Sequence, residues 1–133
     1  NNSLVNFGSL QPYQNRSTDS GPPAPFVLEN DGNSFVNVTI NATDLWKSIP
    51  NPSNNFRFKV DNYTGEAGSF DWQQSQTSLA QVPNSTTLSR LLGYFNWNNS
   101  SDTAEVDLFV SAPLNEGAGN KSSQVQFTAS LGE

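Results

Sequence analysis

The residues of this chain with a recognisable chemistry are asparagines rather than acids, bases or thiols. Nine N-x-S/T triplets with a non-proline middle residue begin at Asn1, Asn15, Asn37, Asn41, Asn62, Asn84, Asn98, Asn99 and Asn120. In each, the asparagine amide is an acceptor for an N-linked glycan. Asn51 precedes Pro52 and is excluded. With 18 asparagines in the 133 residues, chance would give about four such triplets, so nine is an excess. Asn98 and Asn99 are adjacent, and two sugars there would crowd one another. Filled sites would give the domain a hydrophilic coat over its loops and strand edges.

Other chemistry is poorly supplied. The chain has no His and no Cys, which removes the commonest general base, the commonest transition-metal ligand and all disulfides. No nucleophile elbow or phosphate loop is present. Asp71 with Glu66 is formally a two-carboxylate pair of the glycosidase kind, but 12 acidic residues give many chance pairs. We therefore expect no enzyme, no catalytic residue, no cofactor and no metal site. Residues 29–34 (ENDGNS) place oxygen ligands around Gly32 but lack the spacing and closing Glu of a calcium loop; a turn accounts for them better. Trp46, Trp72 and Trp97, with Tyr63 and Tyr94, could stack on sugar rings, or else fill a core or cover its edges.

The elements that must hold these residues are strands. Residues 34–45 (SFVNVTINATDL) alternate Val36, Val38 and Ile40 against Asn37, Thr39 and Asn41, so one face is apolar and the other carries two acceptors about 13 Å apart. That polar face is expected to stay uncovered and to point away from neighbours. Residues 55–61 alternate Phe56, Phe58 and Val60 against Arg57, Lys59 and Asp61. Residues 4–10, 26–29, 69–73, 91–97, 103–111 and 123–131 complete the strand candidates. Ala104, Val106, Leu108 and Val110 share one face; so do Val125, Phe127, Ala129 and Leu131. Asp31-Gly32 predicts a hairpin turn between residues 26–29 and 34–45. A helix is excluded except for a short turn near residues 86–91, because Pro83 interrupts the best candidate. These seven to eight strands predict an all-β, antiparallel, immunoglobulin-like sandwich, with a closed barrel as the alternative.

The net charge of −6 with six Lys and Arg lacks the basic surface of a nucleic-acid binder. No apolar run approaches the about 20 residues that span a membrane. The absence of Met and the start at Asn1 lead us to expect an exported product that has lost a leader. Residues 1–24 read as an apolar strand on a Pro-rich tether, and residues 25–133 as the sandwich. Leu4, Val5, Phe7 and Leu10 can then form the domain's own first strand, or a donor strand that fills the edge of a neighbour. A donor and an acceptor that differ propagate head to tail.

The stretches PFVLENDGNSFVNVTINATDLW and VDLFVSAPLNEGAGNKSSQVQFTASLGE resemble secreted β-sandwich proteins of bacterial and archaeal surfaces. More loosely, the chain is similar to TasA/camelysin-like matrix fibre subunits and archaeal bundling pili. The resemblance covers about half the chain, residues 25–46 and 106–133. It implies an extracellular subunit that polymerises with identical copies into a helical filament by donor-strand complementation, with no catalytic residues to carry over; the acceptor triplets add covalently attached N-glycans to that expectation. The alternative expectation is a monomeric secreted module that binds glycans through its aromatic residues.

Overall fold

Alternating apolar residues account for most of the long strands. The structure, a computed structural model, describes residues 3–132. Its strands are β1 (Asn15–Ser17), β2 (Phe26–Glu29), β3 (Val36–Ala42), β4 (Phe56–Asn62), β5 (Ala80–Gln81), β6 (Ser89–Phe95), β7 (Thr103–Ser111) and β8 (Val125–Leu131). They form two antiparallel sheets that pack face to face, a β-sandwich as predicted. The larger sheet runs β1-β7-β4-β5, with β2 also paired to β7; the smaller runs β6-β3-β8.

The core lies between the sheets. Phe56, Phe58 and Val60 of β4 face Val38 and Ile40 of β3, with Leu91, Leu92 and Phe95 of β6 and Ala104, Val106, Leu108 and Val110 of β7 in the same cluster. Trp46 belongs to it too, its indole N–H donating to the Asn55 carbonyl at 2.9 Å. Period-two alternation on a sheet with one buried face produces this arrangement in β3, β4 and β7, whereas β6 buries the adjacent Leu91 and Leu92 together.

One side of the sandwich is stitched shut. Residues 71–76 run along the free edge of β6: Asp71 N–H donates to Gly93 O (2.9 Å) and Gln76 N–H to Leu91 O (3.0 Å). The Gln76 carbonyl accepts from Val60 N–H of β4 at 2.8 Å, so one segment bridges both sheets. Gly93 permits the close approach, since a Cβ there would lie 2.7 Å from Gln74 Cβ and 2.8 Å from its carbonyl oxygen.

Several expectations are corrected. Residues 4–10 form no strand. Gly8 takes a positive φ of 72°, and its N–H is captured by the Asn6 side chain at 2.9 Å, which breaks the extended run. The first strand, β1, instead falls inside the stretch read as a tether. The Asp31-Gly32 turn makes no hairpin, because β2 and β3 lie in different sheets. Asn30 anchors the crossing: its side-chain amide donates to Ser34 O (3.0 Å) and Phe95 O (2.9 Å), and its Oδ1 accepts from Gly32 N–H (3.1 Å). In place of a strand at residues 69–73 there is a single β-bridge, Asp71 with Gly93, and a one-turn 3-10 helix at Trp72–Gln74 capped by Asp71. Of the short helix or turn expected near residues 86–91, the turn is found, at residues 85–86, and β6 begins at Ser89.

At one end of the sandwich, Glu116 clamps two loops together. Its carboxylate accepts from Lys47 N–H (3.0 Å), Ser48 N–H (2.8 Å) and Ser48 Oγ (2.6 Å), and pairs with Lys121 Nζ at 2.6 Å. The lysine and then the serine hydroxyl hold its pKa down to about 2. A carboxyl depressed in the folded state contributes stability above its unfolded value of 4.5 and loses it as pH falls through 2. Glu116→Gln is therefore expected to destabilise the protein at pH 7, with the difference from wild type fading between about pH 5 and pH 2. Urea denaturation of both proteins across that range measures it.

Candidate functional site

The side of the sandwich opposite the stitched one is open. β8 pairs with β3 along its whole length, from Ala42 with Val125 to Val36 with Leu131, and lies at the edge of its sheet. Residues directly opposite in an antiparallel pair share a face. Val125, Phe127, Ala129 and Leu131 thus stand on the core face with Ala42, Ile40, Val38 and Val36. The expected burial fails halfway along. Phe127 meets the ring of Phe26 edge-on at 5.6 Å, but Ala129 is exposed and Leu131 is 72% exposed. The opposite sheet does not reach them.

The N-terminal arm lies against its own domain. Val5, Phe7 and Leu10 pack on the core cluster, whereas Leu4 is 74% exposed. No strand ladder holds residues 4–10; the Arg16 guanidinium reaches the carbonyls of Phe7 and Ser9. Firm pairing begins at Tyr13, whose N–H donates to Ala112 O at 2.9 Å.

The acceptor asparagines divide by position. Asn15, Asn62, Asn98, Asn99 and Asn120 are exposed. Asn84 is half-buried in a turn, its Oδ1 accepting from Thr86 N–H (3.0 Å) and Thr86 Oγ1 (2.8 Å). Asn98 holds Ser100 in the same way, so in both triplets the hydroxyl two residues on already engages the asparagine. The open polar face expected for β3 is corrected. Asn41 is 7% exposed, because residues 83–87 fold over it: Ala42 N–H donates to Pro83 O, and the Asn41 amide to Ser85 O at 3.0 Å. Asn37 is half-buried, its Oδ1 accepting from Tyr94 N–H at 3.0 Å where the β3–β6 register slips. Asn1 lies outside the described residues.

Of the candidate stacking aromatics, Trp46 is buried and has no ring face to offer. Trp72 and Trp97 are both exposed, Trp72 stacked on Phe70 with centroids 5.9 Å apart.

A cluster that the sequence did not reveal sits on the outer face of the larger sheet. Lys59 pairs in register with Asp107, and Asp61 with Glu105, so their side chains share the face opposite the core. Between β1 and β2 the chain leaves β7. There Thr18 completes the ladder, donating its N–H to Leu108 O (3.1 Å) and accepting Leu108 N–H on its hydroxyl (2.9 Å). Asp19 follows and comes to Asp61 and Asp107, the three carboxylates placing one oxygen each within 4.8 Å of one another. Burial raises the Asp107 pKa, with Asp19 and Asp61 adding to it and the Thr18 hydroxyl and Lys59 opposing. Glu105 is raised by burial and by Asp107, Asp61 and Asp19. Alternating charged residues at Lys59-Val60-Asp61 and Glu105-Val106-Asp107 were the available signal, but only the strand pairing joins them.

Comparison with family models, curated proteins and solved structures yields no match.

Proposed function

We propose that this chain is a structural subunit of an extracellular, N-glycosylated filament, joined head to tail when residues 4–10 of one copy pair along β8 of the next. The observation that carries this reading is the open edge at β8. Among the described residues it combines backbone groups with no neighbouring strand and uncovered core-facing side chains at Ala129 and Leu131, the two features that strand addition exploits. The arm suits the role of donor. Val5, Phe7 and Leu10 contact their own domain through side chains without a ladder, so releasing them breaks little regular backbone pairing. Anchored at Tyr13, an arm of about ten residues reaches at most about 33–36 Å, enough to cross to an adjacent copy. The exposed acceptors at Asn15, Asn62, Asn98, Asn99 and Asn120 fit a sugar coat, and β8 itself contains no N-x-S/T triplet.

Deleting residues 1–12 and imaging the product by electron microscopy tests the assembly. Filaments from the full chain and isolated particles from the truncated one are expected. Filaments unchanged by the deletion would remove the donor role. Mass spectrometry of the same material should find sugar at the exposed acceptors and bare amide at Asn41.

A monomeric glycan-binding module is the second reading, favoured by the exposed rings of Trp72 and Trp97. It requires binding on a glycan array that Trp72→Ala or Trp97→Ala abolishes.

A further inference from the structure

We propose that Asp19, Asp61 and Asp107 form a calcium site on the outer face of the larger sheet, tying the break between β1 and β2 to the central strands β7 and β4. Two independent observations converge there. The first is the triad itself, one oxygen from each carboxylate within 4.8 Å of the others. The second is the state of Asp107. Its residue surface is 1% exposed. Its Oδ1 accepts from Thr18 Oγ1 at 2.7 Å, while its Oδ2 has no hydrogen-bond partner. A buried carboxylate oxygen without a donor is costly unless a positive charge or a metal compensates it.

Lys59 supplies that compensation only in part, lowering the Asp107 pKa less than burial raises it. Its ammonium lies 3.5 Å from Asp19 Oδ2 and 3.8 Å from Asp61 Oδ2. Among the described residues it makes no ion pair with Asp107. One ammonium also faces three clustered carboxylates, with Glu105 beside them, so negative charge remains in excess. A divalent cation would displace the lysine outward and serve all three acids.

The chemistry selects the ion. The donors are all oxygen, which favours a hard cation over the transition metals. The three oxygens lie within 4.8 Å of one another, close enough to share one ion, and calcium tolerates irregular carboxylate geometry where magnesium demands a near-ideal octahedron. Thr18 fixes Asp107 from one side, and the β4–β7 register fixes Asp61. The ion would accordingly lock Asp19 and the 18–25 crossing, whether or not the chain polymerises.

Calorimetric titration of the full, chelator-stripped chain with calcium chloride tests this, alongside thermal denaturation with and without calcium. One site with a Kd of about 10⁻⁴–10⁻³ M is expected, in the range of extracellular modules, together with a rise in Tm. Asp107→Asn should weaken binding at least tenfold. Asp61→Asn, at a more exposed position that is safer for folding, should do the same. Lys59→Gln should tighten binding several-fold, because the competing ammonium is gone. The proposal is overturned if the wild type gives neither saturable heat nor a Tm shift up to about 10 mM calcium, well above the weakest constant expected. It also fails if folded Asp61→Asn binds as wild type does, or if Lys59→Gln binds more weakly.

Discussion

Phe58→Ala lowers the stability of this protein by about 3–5 kcal/mol, the cost of removing a fully enclosed aromatic ring and leaving a cavity. Phe58 is wholly buried at the middle of β4, in register with Leu108 of β7 and Ala80 of β5. The ladder on both sides limits how far the backbone can collapse into the space. A domain of this size has a total stability of about 5–15 kcal/mol, so the variant should lose a large part of its denaturant midpoint. Phe58→Leu, which keeps most of the volume, should cost far less. Urea denaturation of the three proteins checks both statements, and equal midpoints for wild type and Phe58→Ala would show that the two sheets do not depend on this contact.

Asn30→Ala costs about 1–3 kcal/mol for each buried polar group left without a partner. The residue is buried where the chain passes from one sheet to the other. Its amide N–H₂ satisfies the carbonyls of Ser34 and Phe95, and its Oδ1 satisfies Gly32 N–H. The isosteric Asn30→Asp should not rescue it at pH 7. A carboxylate could still accept from Gly32 N–H, but it would set a negative oxygen against the Phe95 carbonyl. The ordering wild type, then alanine, with aspartate no better than alanine, is the expected outcome of denaturation measurements. Stability retained in Asn30→Asp would mean that only the Gly32 contact matters.

The sandwich was legible because its signal is local. Whether Phe56, Phe58 and Val60 point together depends on the two-residue period of a strand and on nothing distant. The same holds for Ala104 to Val110, and both strands lie where the alternation places them. The failures share one cause. The turn residues Asn30, Asp31 and Gly32 are as compatible with a crossing between sheets as with a hairpin, since both need a tight reversal. The alternation at Val125 to Leu131 shows which side faces inward but not whether anything opposes it. Asn41 reads as surface in the sequence and is buried by residues 83–87, about 40 positions away in the chain.

The sequence by itself determined the class of this protein: all-β, without His or Cys, acidic, and rich in glycan acceptor triplets. These follow from composition and from a period that each strand carries within itself. The tertiary structure alone decided which asparagines remain open, which sheet edge is stitched and which is bare, and that Asp19, Asp61 and Asp107 meet. Each of these depends on pairing between residues far apart in the chain, and that pairing is selected by the packing of the whole core rather than by any local preference.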